Sequence, residues 1–413
     1  MTIYSESVRS NGSLAYPGRP LGAGEPLLMA SDELVAIDLP PGPGWLELVR
    51  RLWVEGVPFL PLDHRLTERE RRAIVDRARP TSVLDPSGET LLAGAEPVSR
   101  GVAVVVATSG VGGRPKLVEL HRVAVAVAVR TSADRLGATP RDRWISVLPP
   151  SHVGGLLVLL RGAILGAPVT VHEAFDPARL VRDGEGPAFV SVVPAIARRL
   201  VASDVGLSGL TLLVGGDALD EGTAGAARSR GARLVTTYGL TETCGGVVYD
   251  GVPLDGMAVR LGAEGAIEVD GPMLMEGYRL DGAATGAAFT TDGWLRTGDL
   301  GALGDDGRLT VLGRADHVIR TGSETVWPEE VERVLADHPR VGDVAVAGRP
   351  DAEWGQHVCA FVVPARTDEP PTLEELRAHG AERLARFKLP RDLRLVPEIP
   401  RTSTGKVRRA LLR

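Results

Sequence analysis

From Glu33 onward the chain alternates short apolar runs with amphipathic stretches, and that order leaves few folds open. Leu34–Leu39 reads as a strand, and Pro43–Glu55 as a helix with Trp45, Leu48, Val49 and Leu52 on one face. Val57–Leu62 reads as the next strand. Thr67 then caps a helix through Ala78, with Glu70 in the capping-box position, and Ser82–Leu84 follows as a strand. A β-α-β-α-β order predicts a parallel sheet with helices on its faces, because parallel strands need long crossovers. Val102–Ala107, all β-branched or small, predicts a buried parallel strand.

The alternation continues with strands near Ile145–Leu148, Pro168–His172, Phe189–Val193, Thr211–Val214 and Arg233–Thr237, and a helix over Val153–Leu165. Past Gly251 the texture changes to strand-turn-strand signals, including Asp292-Gly293 and Asp306-Gly307, which predict antiparallel or mixed β structure. A small α+β unit follows, with helices over Pro328–Asp337 and Thr372–Leu384 and strands over Val341–Ala347, Val358–Val363 and near Leu393–Val396. A boundary is expected near Gly313–Thr321. Residues 1–30 read as an irregular arm.

A chain of 413 residues is too long for one small core. A net charge of −6 gives no footprint for nucleic acid or an anionic membrane. Every long apolar run is broken before a spanning length, and the start of the chain lacks the order of a signal peptide. Cys244 and Cys359 form no metal-ligand or paired pattern, which fits a reducing cytoplasm.

Chemistry enters through lysine. Only Lys116, Lys388 and Lys406 break an otherwise all-arginine basic set, and two of them lie in Gly/Ser/Thr segments. Lys116 closes Thr108-Ser109-Gly110-Val111-Gly112-Gly113-Arg114-Pro115-Lys116, directly after the Val102–Ala107 run. Glycines there permit backbone amides to approach an anion, and lysine adds a compact charge. The segment is not a Walker A loop, since Pro115 precedes the lysine and Leu117 follows it.

This segment resembles the phosphate loop of the acyl-adenylate-forming enzymes, and five further segments match that family in order. They are Gly215-Gly216-Asp217 on the adenine side, Tyr238-Gly239-Leu240-Thr241-Glu242, and Trp294 to Asp299 for ribose. The hinge segment Gly313–Asp316 with Gly322-Ser323-Glu324 follows, and then Pro400 to Lys406. Thr241–Gly256 further resembles the compact actinobacterial o-succinylbenzoate–CoA ligases of menaquinone biosynthesis. The chain departs from the family pattern at Val111 and Gly112, where hydroxyl residues are usual.

The resemblance implies an α/β fold: a large N-terminal domain (1–315) of parallel and mixed sheets with flanking helices and a β subdomain, and a small mobile α+β lid (316–413). It implies ATP, Mg²⁺ and CoA, and a small carboxylic acid such as 2-succinylbenzoate, with a carrier-protein phosphopantetheine as the alternative acceptor and a homodimer left open. Thr108, Ser109, Gly110, Gly113, Lys116, Gly215, Gly216, Asp217, Thr237, Tyr238, Gly239, Thr241, Asp299 and Arg314 would bind ATP. Glu242 would hold Mg²⁺. Lys406 would neutralise charge in the adenylation transition state. His152 would gate an acid pocket with Gly155, Val193, Pro194, Gly239 and Leu240, and Arg161 or His152 would hold the acid's second carboxylate. Asp316 would be the hinge, and Gly322 and Ser323 would meet CoA.

Overall fold

The computed structural model describes residues 31–108, 115–184, 186–322, 324–401 and 407–412. The first seven-stranded sheet runs, edge to edge, through Gly277–Tyr278, Lys116–His121, Val102–Thr108, Phe59–Pro61, Val35–Ile37, Ser82–Asp85 and Gly88–Leu91. The second, also seven-stranded, runs through Val252–Pro253, Gly245–Tyr249, Arg233–Leu240, Leu210–Val214, Ala188–Val192, Arg143–Ser146 and Val169–Val171. The predicted parallel pairing holds at the centre of each sheet, where helices make the crossovers. Antiparallel strands close both edges of the first sheet and the Val252–Pro253 edge of the second, whose other edge strand, Val169–Val171, is parallel to its neighbour.

Val102–Thr108 corrects the expectation of a wholly parallel strand. It meets Phe59–Pro61 in parallel, but its other neighbour, Lys116–His121, returns antiparallel across the glycine segment. A connection this short cannot make a parallel crossover. Lys116 is therefore the first residue of a strand, paired with Thr108.

Local signals explain the helices. Gly44–Glu55 buries Trp45, Leu48, Val49 and Leu52, at helical spacing, and stops at Gly56 in the left-handed region. Glu68–Ala78 opens on a complete capping box: Thr67 Oγ1 accepts from the Glu70 amide, and Glu70 accepts from the Thr67 amide. Such a cap contributes about 1 kcal/mol. Val153–Leu165 is apolar nearly all round and buries residues 155–162 without a gap, as a helix enclosed by other elements must. It packs on Gly44–Glu55 and Arg122–Leu136.

Past residue 256 the predicted antiparallel region is a four-stranded sheet, Ala258–Leu261, Ala266–Asp270, Leu295–Leu303 and Leu309–Arg314. From Ile319 a five-stranded sheet carries the helices Pro328–Leu335 and Leu373–Ala381, and these share a core drawn only from residues 319 onward. No helix among the described residues is long and apolar enough to cross a membrane.

Candidate active site

The strand Arg233–Leu240 carries Thr237, Tyr238, Gly239 and Leu240 out of the second sheet at the carboxyl end of its parallel run, where open α/β sheets form ligand crevices. Gly239 has no room for a side chain: a Cβ there would lie 1.9 Å from the Gly245 carbonyl oxygen. This close approach lets Gly245–Tyr249 fold straight back on the strand. The turn between them, Thr241–Thr243, carries Glu242, and Thr243 Oγ1 accepts from the Leu240 amide at 2.8 Å.

Tyr238 reaches the four-stranded sheet. Its hydroxyl donates to Asp299 Oδ2 at 2.8 Å, while Arg314 Nη1 stands 3.4 Å from Asp299 Oδ1 and donates to the Thr297 carbonyl at 3.1 Å. Asp299 is almost fully buried. Burial, followed by the Asp299 charge, raises the Tyr238 phenol well above its usual range, so it remains a donor. Arg314 Nε also donates to Asp316 Oδ1 at 3.2 Å. Burial opposes ionisation of Asp316, yet the Arg314 charge holds its carboxyl below the ordinary range.

On the other side of the turn, Glu242 Oε1 accepts from the Tyr278 hydroxyl at 2.8 Å. The Lys116 ammonium lies 4.3 Å from the centre of the same Tyr278 ring. Glu242, Tyr278 and Lys116 thus form one group, and Thr108 Oγ1 donates to the Lys116 carbonyl at 3.4 Å. Among the described residues no group of three or more His, Cys, Asp or Glu side chains is placed to hold a metal ion by itself. Glu242 is a hard-oxygen donor of the kind Mg²⁺ takes singly, with phosphates and water filling its other positions, so the residues fit that ion.

Gly215 and Gly216 follow the neighbouring strand Leu210–Val214, and Gly215 packs on Thr237, whose hydroxyl donates to the Val214 carbonyl at 3.3 Å. Asp217 Oδ1 accepts from the Ala218 amide. Val193 and Pro194 open the helix Pro194–Ala202, and Val193 packs toward Gly216. His152 stands at the start of the Val153–Leu165 helix, and Gly155 presses on the 148–149 backbone, where a Cβ would lie 2.4 Å from the Pro149 oxygen. The structure therefore brings together Thr237, Tyr238, Gly239, Leu240, Thr241, Glu242, Asp299 and Arg314, with Gly215, Gly216 and Val193 beside them.

Arg161 is the correction. It was a candidate for a substrate carboxylate, but only 2% of it is exposed. Its guanidinium lies 4.1 Å from the Trp144 ring centre and donates to Ser132 Oγ at 2.7 Å, inside the core. The apolar helix turns it inward, where aromatic and hydroxyl groups replace water.

Ser109, Gly110, Gly113, Ser323 and Lys406 lie outside the described residues. Gly322 adopts a left-handed φ of 63° beside Trp354. Sequence reasoning missed Tyr278, which no local motif marks, and it missed Asp63 and Arg65 beside His152. Their signal was position: they follow the strand Phe59–Pro61 at its carboxyl end.

Comparison with known proteins agrees with this geometry. Residues 92–279 match the AMP-binding enzyme family, and 330–406 match the AMP-binding enzyme C-terminal domain. A probable 2-succinylbenzoate–CoA ligase of Mycobacterium tuberculosis (strain H37Rv) is 41% identical over 350 residues, covering 81% of this chain and 90% of that protein.

The chain belongs to the AMP-binding enzyme family.

Other members of the AMP-binding family share its sequence and shape. A 2-succinylbenzoate–CoA ligase of Listeria monocytogenes is 33% identical, over 75% of this chain and 69% of that protein. The o-succinylbenzoate CoA synthetase of Bacillus subtilis, in complex with its acyl-adenylate intermediate, superposes with a TM-score of 0.82 at 26% identity, covering 92% of this chain and 88% of that one. ATP-bound MatB of Rhodopseudomonas palustris gives 0.82 at 25% identity, over 94% and 89%.

Proposed function

We propose that this protein is an AMP-forming acid–CoA ligase whose acid is 2-succinylbenzoate. The observation that carries the reading is the end of the Arg233–Leu240 strand, where one short segment joins a nucleotide-side cluster to an acid-side one. Tyr238 leads to Asp299 and Arg314, while Gly239 and Leu240 lead to Glu242 and toward the Val153–Leu165 helix.

In the first half-reaction an oxygen of the acid's carboxylate attacks the α-phosphorus of ATP, and pyrophosphate leaves. In the second, the CoA thiol gives up its proton and its sulfur attacks the acyl carbon, and AMP leaves with the C–O bond electrons. Asp299 and Arg314 hold the ribose side, and Gly215–Asp217 the adenine side. Lys116 with the glycine segment meets the phosphates. Glu242 would hold Mg²⁺, which when bound would supply charge neutralisation on the phosphates. Lys406 balances charge at the first transition state. Residues 1–315 form the domain that binds ATP and acid, and 316–413 the lid, with Asp316 as pivot and Gly322 and Ser323 on the CoA side. Two free, buried cysteines fit a reducing cytoplasm.

The test is ATP–pyrophosphate exchange over aromatic, fatty and amino acids, followed by thioester formation with CoA or with a holo-carrier protein. Exchange selective for 2-succinylbenzoate with transfer to free CoA is expected. Exchange driven by another acid overturns the substrate, and transfer only to the carrier overturns the acceptor.

A further inference from the structure

His152 is held from a direction that the family motifs do not mark. Asp63 and Arg65 come from the segment that follows the strand Phe59–Pro61, on the first sheet, whereas His152 opens a helix attached to the second. Asp63 is 6% exposed, and Arg65 grips it with both faces of its fork: Nε to Oδ1 at 2.8 Å and Nη2 to Oδ2 at 2.7 Å. The same Nη2 lies 3.0 Å from His152 Nε2, and Asp63 Oδ2 lies 3.3 Å from that nitrogen.

The chemistry of the guanidinium decides the ring's proton. Arginine only donates and does not lose its charge, so a nitrogen it faces must offer a lone pair. With Nε2 accepting from Arg65, the neutral imidazole carries its hydrogen on Nδ1. The alternative, Nε2–H donating to Asp63, uses the longer contact and sets a proton against the guanidinium. Asp63 and Arg65 together are neutral, so they orient the ring without adding net charge at the pocket mouth. The Val153–Leu165 helix that follows His152 has no charged side chain other than the core residue Arg161. Among the described residues Nδ1 has no partner.

We propose that Asp63 and Arg65 are positioning residues that lock His152 in its Nδ1–H tautomer. The ring then presents a hydrogen-bond donor to an oxygen of the incoming acid. Asp63 aims Arg65, Arg65 fixes the imidazole, and the imidazole meets the substrate. The substrate part of this inference rests on the acid–CoA ligase reading above, but the tautomer does not.

The experiment uses the full chain labelled with ¹⁵N-histidine. The His152 signals, among eight histidines, are assigned by their loss in His152→Gln. Wild type is expected to show a protonated Nδ1 and an unprotonated Nε2 without any substrate. Arg65→Met should mix the tautomers and raise KM for the acid about tenfold, the scale for a lost charge-assisted hydrogen bond, with KM for ATP unchanged. Arg65→Lys should recover part of that loss. A wild-type Nε2–H tautomer overturns the proposal whatever acid the enzyme uses. An unchanged acid KM in Arg65→Met, or parallel rises in both KM values, also overturns it. If wild type rejects 2-succinylbenzoate, the substrate reading fails, and KM is read with the acid that drives exchange.

Discussion

The Tyr278 hydroxyl donates to Glu242 Oε1 at 2.8 Å, joining residues 36 positions apart in the chain. Burial, and then the Glu242 charge, pushes the Tyr278 phenol above its usual range, so it stays a donor through neutral pH. It turns one carboxylate oxygen aside and sets the angle of the other. Gly277–Tyr278 is itself an edge strand pairing with Lys116–His121, so Lys116, the candidate phosphate lysine, and the candidate metal carboxylate share one support.

Glu242→Gln should depress adenylation and raise the Mg²⁺ concentration needed, because a neutral amide is a poor ligand for a hard dication. Tyr278→Phe keeps the carboxylate but loses its orientation, and apparent Mg²⁺ affinity should fall about ten- to hundredfold. Mg²⁺ titration of pyrophosphate exchange measures both. Unchanged titrations would remove Glu242 from the metal site.

Lys406→Ala should lower the adenylation rate on the order of 10²–10³-fold, as for other losses of a charge aimed at a transition state. Thioester formation from preformed acyl-AMP should stay near the wild-type rate. Single-turnover assays of each half-reaction separate the two. Equal losses in both would refute a role confined to the first step.

Arg161→Met should leave the acid KM unchanged for both 2-succinylbenzoate and the monoacid 4-phenyl-4-oxobutanoate, since the guanidinium belongs to the core. Met keeps an apolar stem over Trp144 but loses the hydrogen bond to Ser132, so stability should fall by about 1–3 kcal/mol. Thermal unfolding and a two-substrate comparison check this. Selective loss of the diacid would return Arg161 to the pocket.

Asp63 predicts a pH effect. Burial disfavours its charge, but the hydrogen bonds and charge of Arg65 win and hold the carboxyl far below its ordinary 3.8. The folded state thus binds this proton less readily than the unfolded chain does. The resulting stability is complete above the ordinary value and is lost as pH falls below it. Asp63→Asn should therefore be less stable than wild type at neutral pH, and the gap should narrow below pH ~4. Denaturant unfolding across pH 2–7 measures the gap. A constant gap would show that Asp63 contributes by shape rather than charge.

Much of this protein was readable residue by residue. Helix Val153–Leu165 matches its expected bounds, and the Thr67 box and the Trp45–Leu52 stripe stand as read, because caps and helical periodicity depend on neighbours within four positions. The residues of the candidate nucleotide-side cluster were legible for a similar reason: Tyr238, Thr241 and Glu242 fall in one motif, and Asp299 and Arg314 in two others. Pairing across the sheets was not legible. Lys116 was read as the end of a loop, and only its partner Thr108 makes it the start of an antiparallel strand.

The order of elements, the capped helices and the glycine segments follow from the sequence alone, since each is decided by local backbone preference and hydrophobic period. The environment of a charge was decided only in the tertiary structure. The same sequence reading offered Arg161 to the substrate and passed over Arg65, yet folding buries the first over Trp144 and sets the second against His152, 87 positions away. Burial and charge pairing are properties of the surroundings, and distant segments bring those surroundings together only when the chain packs.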